Sequence, residues 1–125
     1  MKEILVVDDD KDIGEIIIEY LSQTNKYNLT FTASGEDALE LLRNRHFDLL
    51  ITDLLIPDLN GIELTEFAYE NLPKMKVLAC SGGGNSGSFV AGMALDQALD
   101  EGAHSAIMKP FSEEELLSKV KSLLD

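Results

Sequence analysis

Apolar and polar positions along this chain switch between two periodicities, and they do so five times. Ile4-Leu5-Val6-Val7 is a compact, mostly β-branched run, the pattern of a strand covered on both faces. Behind it Ile13, Ile16, Ile17, Tyr20 and Leu21 recur at helical spacing and predict a helix with one buried stripe. Leu29-Thr30-Phe31-Thr32 alternates apolar with polar, as a half-covered edge strand does. Ser34-x-x-Asp37 then opens a helix carrying Ala38, Leu41 and Leu42, with Ser34 as its N-cap. Phe47 to Thr52 predicts a third, buried strand, and Leu64, Phe67 and Ala68 mark the helix after Gly61. Val77-Leu78-Ala79-Cys80 is a fourth strand, followed by a helix through Phe89, Val90, Met93 and Ala94. Ala106-Ile107-Met108 is a fifth. Ser112-x-x-Glu115 is a capping box opening a last helix with Leu116, Val120, Leu123 and Leu124.

Five βα units predict an α/β chain: one open parallel sheet, right-handed crossovers, and helices on both faces, with residues 1–125 as one unit. Only residues 81–88 break the alternation, with four glycines, and they read as a flexible βα loop. In such sheets ligands gather beyond the carboxyl ends of the strands.

The charge balance narrows the function classes. Acidic side chains number 23 against 10 basic ones, a formal net charge of −13. That field repels nucleic-acid phosphates and anionic lipid, so neither is an expected partner. The lone Cys80 excludes an internal disulfide and multi-cysteine metal motifs, and its apolar neighbours predict a buried thiol. No apolar stretch approaches the ~18 residues of a membrane span, and no cleavable signal is evident, so the expected location is the cytoplasm.

Asp8, Asp9 and Asp10 follow the first strand, Asp53 ends the third, Ser81 follows the fourth and Lys109 ends the fifth. Each has an ordinary explanation alone. Aspartates before a helix cap it and complement its dipole, which accounts for Asp10. Asp53 precedes a turn signal, Pro57-Asp58-Leu59-Asn60-Gly61, and Lys109 could be a surface lysine before Pro110. A parallel sheet, however, brings all of them to one edge. Close carboxylates repel one another unless one takes a proton or a cation neutralises them, and Mg²⁺ prefers oxygen donors. Aspartate can attack phosphorus to form an acyl phosphate. Phosphoryl transfer then chiefly needs positioning and charge neutralisation, which a metal, a lysine and a hydroxyl supply.

Three motifs in order, Val7-Asp8-Asp9-Asp10, Asp53-x-x-x-Pro57-x-x-x-Gly61 and Lys109-Pro110-Phe111, resemble the receiver domain of two-component response regulators over the whole chain. The resemblance implies a flavodoxin-like (βα)5 sheet of order 2-1-3-4-5. It implies that Asp53 accepts a phosphoryl group from a phosphohistidine of a sensor histidine kinase or histidine phosphotransfer protein. Mg²⁺ would be held by Asp8, Asp9, Asp53 and the Leu55 backbone carbonyl. Lys109 and Ser81 would contact the phosphoryl oxygens, with the backbone amides of Leu54 and Gly82 as further donors. Such a protein acts on itself and on no external substrate, so it is not classed as an enzyme.

Receivers often carry an aromatic three positions before that lysine; here stands Ala106. The expected output is therefore movement of the loop after the fourth strand and of the face formed by the fourth helix, fifth strand and fifth helix, toward an unspecified downstream protein. Gly14 and Ile18 lie off the predicted stripe of the first helix, making Ile18 a candidate contact for the phosphodonor. His46 and His104 have no motif around them and read as surface or loop residues. Met1 favours a stand-alone receiver over one excised from a larger regulator. Two rivals remain: a haloacid dehalogenase-like phosphatase with Asp8 as nucleophile through its Asp8-x-Asp10 spacing, and a degenerate receiver serving only as a binding module.

Overall fold

The computed structural model describes residues 1–56, 58–82 and 87–125, except for the side chains of residues 87–91. The expectations for the glycine-rich loop, for Pro57 and for the packing of Phe89 and Val90 lie outside the described residues.

The five strands are β1 (Lys2–Val7), β2 (Tyr27–Thr32), β3 (Leu49–Asp53), β4 (Lys76–Ser81) and β5 (Ser105–Met108). They form one parallel sheet of order β2-β1-β3-β4-β5, as the resemblance implied. Between and after them run α1 (Lys11–Ser22), α2 (Gly35–Asn44), α3 (Gly61–Asn71), α4 (Gly87–Asp100) and α5 (Glu113–Leu124).

The alternation of strand side chains builds two cores. Ile4, Val6, Leu49, Ile51, Leu78, Cys80 and Ile107 face α1 and α5, meeting Ile17, Leu21, Leu116 and Val120. Leu5, Val7, Leu50, Val77 and Ala79 face α2, α3 and α4, meeting Ala38, Leu42, Leu64, Ala68, Leu95 and Ala98. Every residue of β3 is buried, whereas β2, at the edge, has no fully buried residue. Burial of each large side chain contributes about 1.5–3 kcal/mol, so these two layers fix the strand register that the site depends on. No helix of the described residues is long and apolar enough to cross a membrane.

Two helix faces differ from the predicted stripes. On α1, Gly14 is buried, because the Phe31 ring from β2 occupies the space its side chain would take. Ile18 is half-buried beside the α1–α5 core, and Ile16 is the exposed apolar residue instead. On α4, among the described side chains, Met93 is exposed, whereas the expected Ala94 packs against the core beside the buried Leu95 and Ala98.

The helix caps follow the sequence closely. Asp10 accepts from the Asp12 amide, Ser34 from Asp37, Asn60 from Glu63 and Ser112 from Glu115.

Candidate functional site

Strand register delivers the site. Val7 pairs with Thr52, so Asp8 and Asp53, each one residue further on, leave the sheet at the same level on adjacent strands. Asp53 pairs with Cys80 and Ser81 with Met108, which brings Ser81 and Lys109 to the same edge one residue beyond. Ser81 is thus the last residue of β4 rather than the first after it, and Lys109 the first after β5.

The side chains converge. Carboxylate oxygens of Asp8, Asp9 and Asp53 all lie within 4.8 Å of one another. Lys109 Nζ donates to Asp8 Oδ2 at 2.7 Å and lies 3.5 Å from Asp53 Oδ2. Asp8 is 1% exposed and Asp53 8%, while Asp9 faces solvent. One lysine among three acids leaves an excess of negative charge. The donor set is oxygen only, part buried and part open, which suits a hard divalent cation that keeps some of its water.

The two buried acids are held differently. Asp8 has both oxygens engaged: Oδ1 accepts from the Asp10 amide at 2.9 Å and Oδ2 from Lys109. Asp53 Oδ1 receives only a long 3.4 Å contact from the Leu55 amide. Burial pushes the Asp53 carboxyl above its usual value; the Lys109 charge opposes this, and Asp8 and Asp9 reinforce it. Of the two buried acids, Asp53 is thus the one whose oxygens are less encumbered. Burial works against the Lys109 ammonium, but the hydrogen bond to Asp8 and the charges of Asp53 and Asp8 outweigh it and raise its pKa. Lys109 stays charged throughout the physiological range. Cys80, next to this edge, has its thiol pushed up to about 12, first by burial, and is no thiolate at neutral pH.

Ser81 is fully buried, and its Oγ has no hydrogen-bond partner among the described residues. Folded chains rarely tolerate a buried hydroxyl without a partner, so such a group points to a ligand oxygen. Gly82 has φ +130°, a region L side chains rarely adopt, and a Cβ there would stand 2.7 Å from the Lys109 carbonyl oxygen. Glycine is needed here for backbone conformation and for the close approach of the two strand ends. The Lys109 amide in turn donates to the Ser81 carbonyl at 2.8 Å.

The Leu54 amide, expected to face the phosphoryl position, donates to the Cys80 carbonyl at 3.1 Å; the amide directed at Asp53 belongs to Leu55. Ala106 is half-buried against the α2–α3–α4 core and leaves no aromatic at that position. His46 is exposed and contacts Asp48 at 3.0 Å. His104, expected to be a surface or loop residue, is exposed just before β5, and its Nδ1 accepts the Val77 amide at 3.0 Å, extending the pairing at the start of β4. Burial, then the Lys76 charge, lowers its pKa, in keeping with a neutral ring used as acceptor.

One group escaped the sequence reading. Asp58, read as part of a turn, accepts hydrogen bonds from Ser34 Oγ at 2.7 Å, the Gly35 amide at 3.0 Å and the Glu36 amide at 3.1 Å. These contacts hold its carboxyl well below the usual range. Its partners lie 22–24 residues away in sequence, so no local motif announces them.

Comparison with known proteins agrees with this geometry. Residues 4–121 match the model of a family described as the response regulator receiver domain. The response regulator receiver protein CpdR of Brucella abortus is 30% identical over 125 residues, spanning 99% of this chain and 98% of that protein. The response regulator ArlR of Staphylococcus aureus is also 30% identical, over 124 residues, but the chain spans only 53% of ArlR's length. Among solved structures, a CheY-like response regulator receiver domain protein from Methanospirillum hungatei shares 32% identity and a TM-score of 0.86, over 100% of this chain and 94% of that one.

Proposed function

The chain belongs to the response regulator receiver domain family of two-component systems, and from that premise we propose that it accepts a phosphoryl group on Asp53. One observation carries the reading: Lys109 reaches both Asp8 and Asp53 inside a cluster of three carboxylates at the carboxyl edge of the sheet.

In the proposed reaction an Asp53 oxygen attacks phosphorus of a phosphohistidine on a cytoplasmic sensor kinase or phosphotransfer protein. The P–N bond breaks, the imidazole leaves and takes a proton, and an acyl phosphate remains on Asp53. Lys109 neutralises one phosphoryl oxygen, the Ser81 hydroxyl donates to another, and the Leu55 and Gly82 amides are near enough in the chain to serve as further donors. Asp8, Asp9, Asp53 and the Leu55 carbonyl would hold Mg²⁺, which when bound offsets the charge of the acids and the incoming phosphate. Residues 1–125 act as one receiver unit, which turns over no external substrate. Engagement of Ser81 draws on the end of β4, and the α4–β5–α5 face transmits the change to a downstream protein. On α1, Ile16 is the exposed apolar residue available to the donor.

The phosphatase reading would make Asp8 the nucleophile, yet Asp8 has both oxygens hydrogen-bonded. The degenerate-receiver reading leaves the buried Ser81 hydroxyl unexplained. The deciding experiment incubates the protein with Mg²⁺ and a small acyl phosphate, then maps the added mass by peptide sequencing. A label on Asp53 that is lost in Asp53→Asn is expected; a label on Asp8, or none, overturns the reading.

A further inference from the structure

We infer that Asp58 is a positioning residue for the cation and phosphoryl site, acting by pinning the connection between β3 and α3 to the first turn of α2. The inference rests on the function proposed above. The connection is fixed at both ends. At its base the Gly61 amide donates to the Leu54 carbonyl at 3.1 Å, and a Cβ on Gly61 would collide with the Asp53 carbonyl oxygen. At its far end the Asp58 carboxylate accepts the three α2 hydrogen bonds, two from backbone amides. Gly35 lies so close that a Cβ there would collide with the Leu59 carbonyl oxygen. Leu55 sits between the two pins, and its amide reaches Asp53 Oδ1.

The division of labour at α2 also singles out Asp58. The opening turn of a helix presents four unpaired amides. The Ser34 hydroxyl takes the Asp37 amide, and the Thr32 hydroxyl takes that of Ser34 itself. The remaining two, on Gly35 and Glu36, are taken by Asp58, a residue of another segment. A helix needing only a cap could find it locally. A cap supplied from the connection that carries Leu55 ties that connection to a rigid element. Without it, the restraints left on this connection among the described residues are the burial of Ile56 and the Gly61 amide bond to Leu54, and the Leu55 peptide would lose its fixed orientation toward Asp53.

The test is Mg²⁺ titration of the wild type and of Asp58→Ala, Asp58→Asn and Ser34→Ala, followed by amide NMR shifts and, separately, by the rate of acyl phosphate labelling as Mg²⁺ is varied. Loss of a partner that orients a metal ligand costs about tenfold in metal affinity. Asp58→Ala should show that loss, with labelling restored at saturating Mg²⁺. Asp58→Asn, which keeps an acceptor oxygen for the α2 amides, should recover most of the affinity, and Ser34→Ala should fall between. Should Asp58→Ala not fold, Asp58→Asn and Ser34→Ala carry the comparison. An unchanged Mg²⁺ affinity in every folded variant, with only the melting temperature lowered, overturns the inference and leaves Asp58 a helix cap. A wild type that binds no Mg²⁺ and takes no label overturns this inference and the proposed function together.

Discussion

Replacing Ser81 by alanine should stabilise the resting protein and weaken its response to a phosphoryl mimic. Ser81 is completely buried, and its hydroxyl has no partner among the described residues. An unsatisfied buried polar group costs about 1–3 kcal/mol. Alanine keeps the Cβ and removes only the oxygen, so the void is small and returns a fraction of the gain. The net should be a stabilisation of about 1 kcal/mol, or about 4 °C in Tm for a chain of this size. With Mg²⁺ and beryllofluoride the order should reverse. The wild-type hydroxyl then donates to a charged acceptor, worth about 1.5–3 kcal/mol, and alanine has nothing to offer. Thermal melts of both proteins, with and without the mimic, supply the four corners of a cycle, and Asp53→Ala provides the blank. A resting Ser81→Ala protein several degrees less stable than wild type would refute the reasoning, since the hydroxyl must then be bonded already. Equal stabilisation of both proteins by the mimic would refute its second half.

Two further outcomes follow from the ion pairs and from the histidine at the far end of β4. Lys109→Met, measured by urea unfolding in a metal chelator, should cost about 3 kcal/mol, because it strands the buried Asp8 carboxylate without its cation. Adding Asp8→Asn should recover part of that loss, and a cost below about 1 kcal/mol would contradict the pairing. His104 is held neutral in the fold, its pKa lowered first by burial, while the unfolded chain protonates as pH falls below about 6.5. Stability should therefore be full above that pH and decline as pH drops from about 6.5 toward the folded-state value. The decline should be small, because the exposed ring is screened by solvent, and absent in His104→Gln.

Much of this is legible in the amino-acid sequence, and unevenly so. The strands were visible because β1, β3 and β4 are largely buried on both faces, so their apolar runs are unbroken, while the edge strand β5, with only Ile107 buried, offers a shorter run. The site was legible because a parallel register converts "carboxyl end of a strand" into "same edge", which is how Asp8 and Asp53 meet across 45 residues. Helix faces were harder. Ile16, Ile17 and Ile18 are consecutive, and the stripe alone does not say which of the flanking pair faces water. The Phe31 ring from β2 decides it by filling the space over Gly14, a contact between residues 17 positions apart (31 − 14). Backbone donors were harder still. Nothing in the identity of Leu54 tells that its amide is spent on Cys80 rather than directed at Asp53. The Asp58 contacts were invisible for the same reason, being tertiary bonds made by a residue whose local sequence says only "turn".

The contact of Gly61 against Asp53 has a mechanical consequence. Because α3 begins hard against the Asp53 carbonyl, a displacement of Asp53 toward that helix would have to carry the start of the helix with it. A group added to Asp53 would therefore find little slack on the β3 side. The Ser81 hydroxyl, without a partner among the described residues, lies at the end of the neighbouring strand β4, and that strand end is the part of the rim with something to gain by moving. Under the proposed function, one stiff wall and one responsive wall would give the signal a direction before any partner binds.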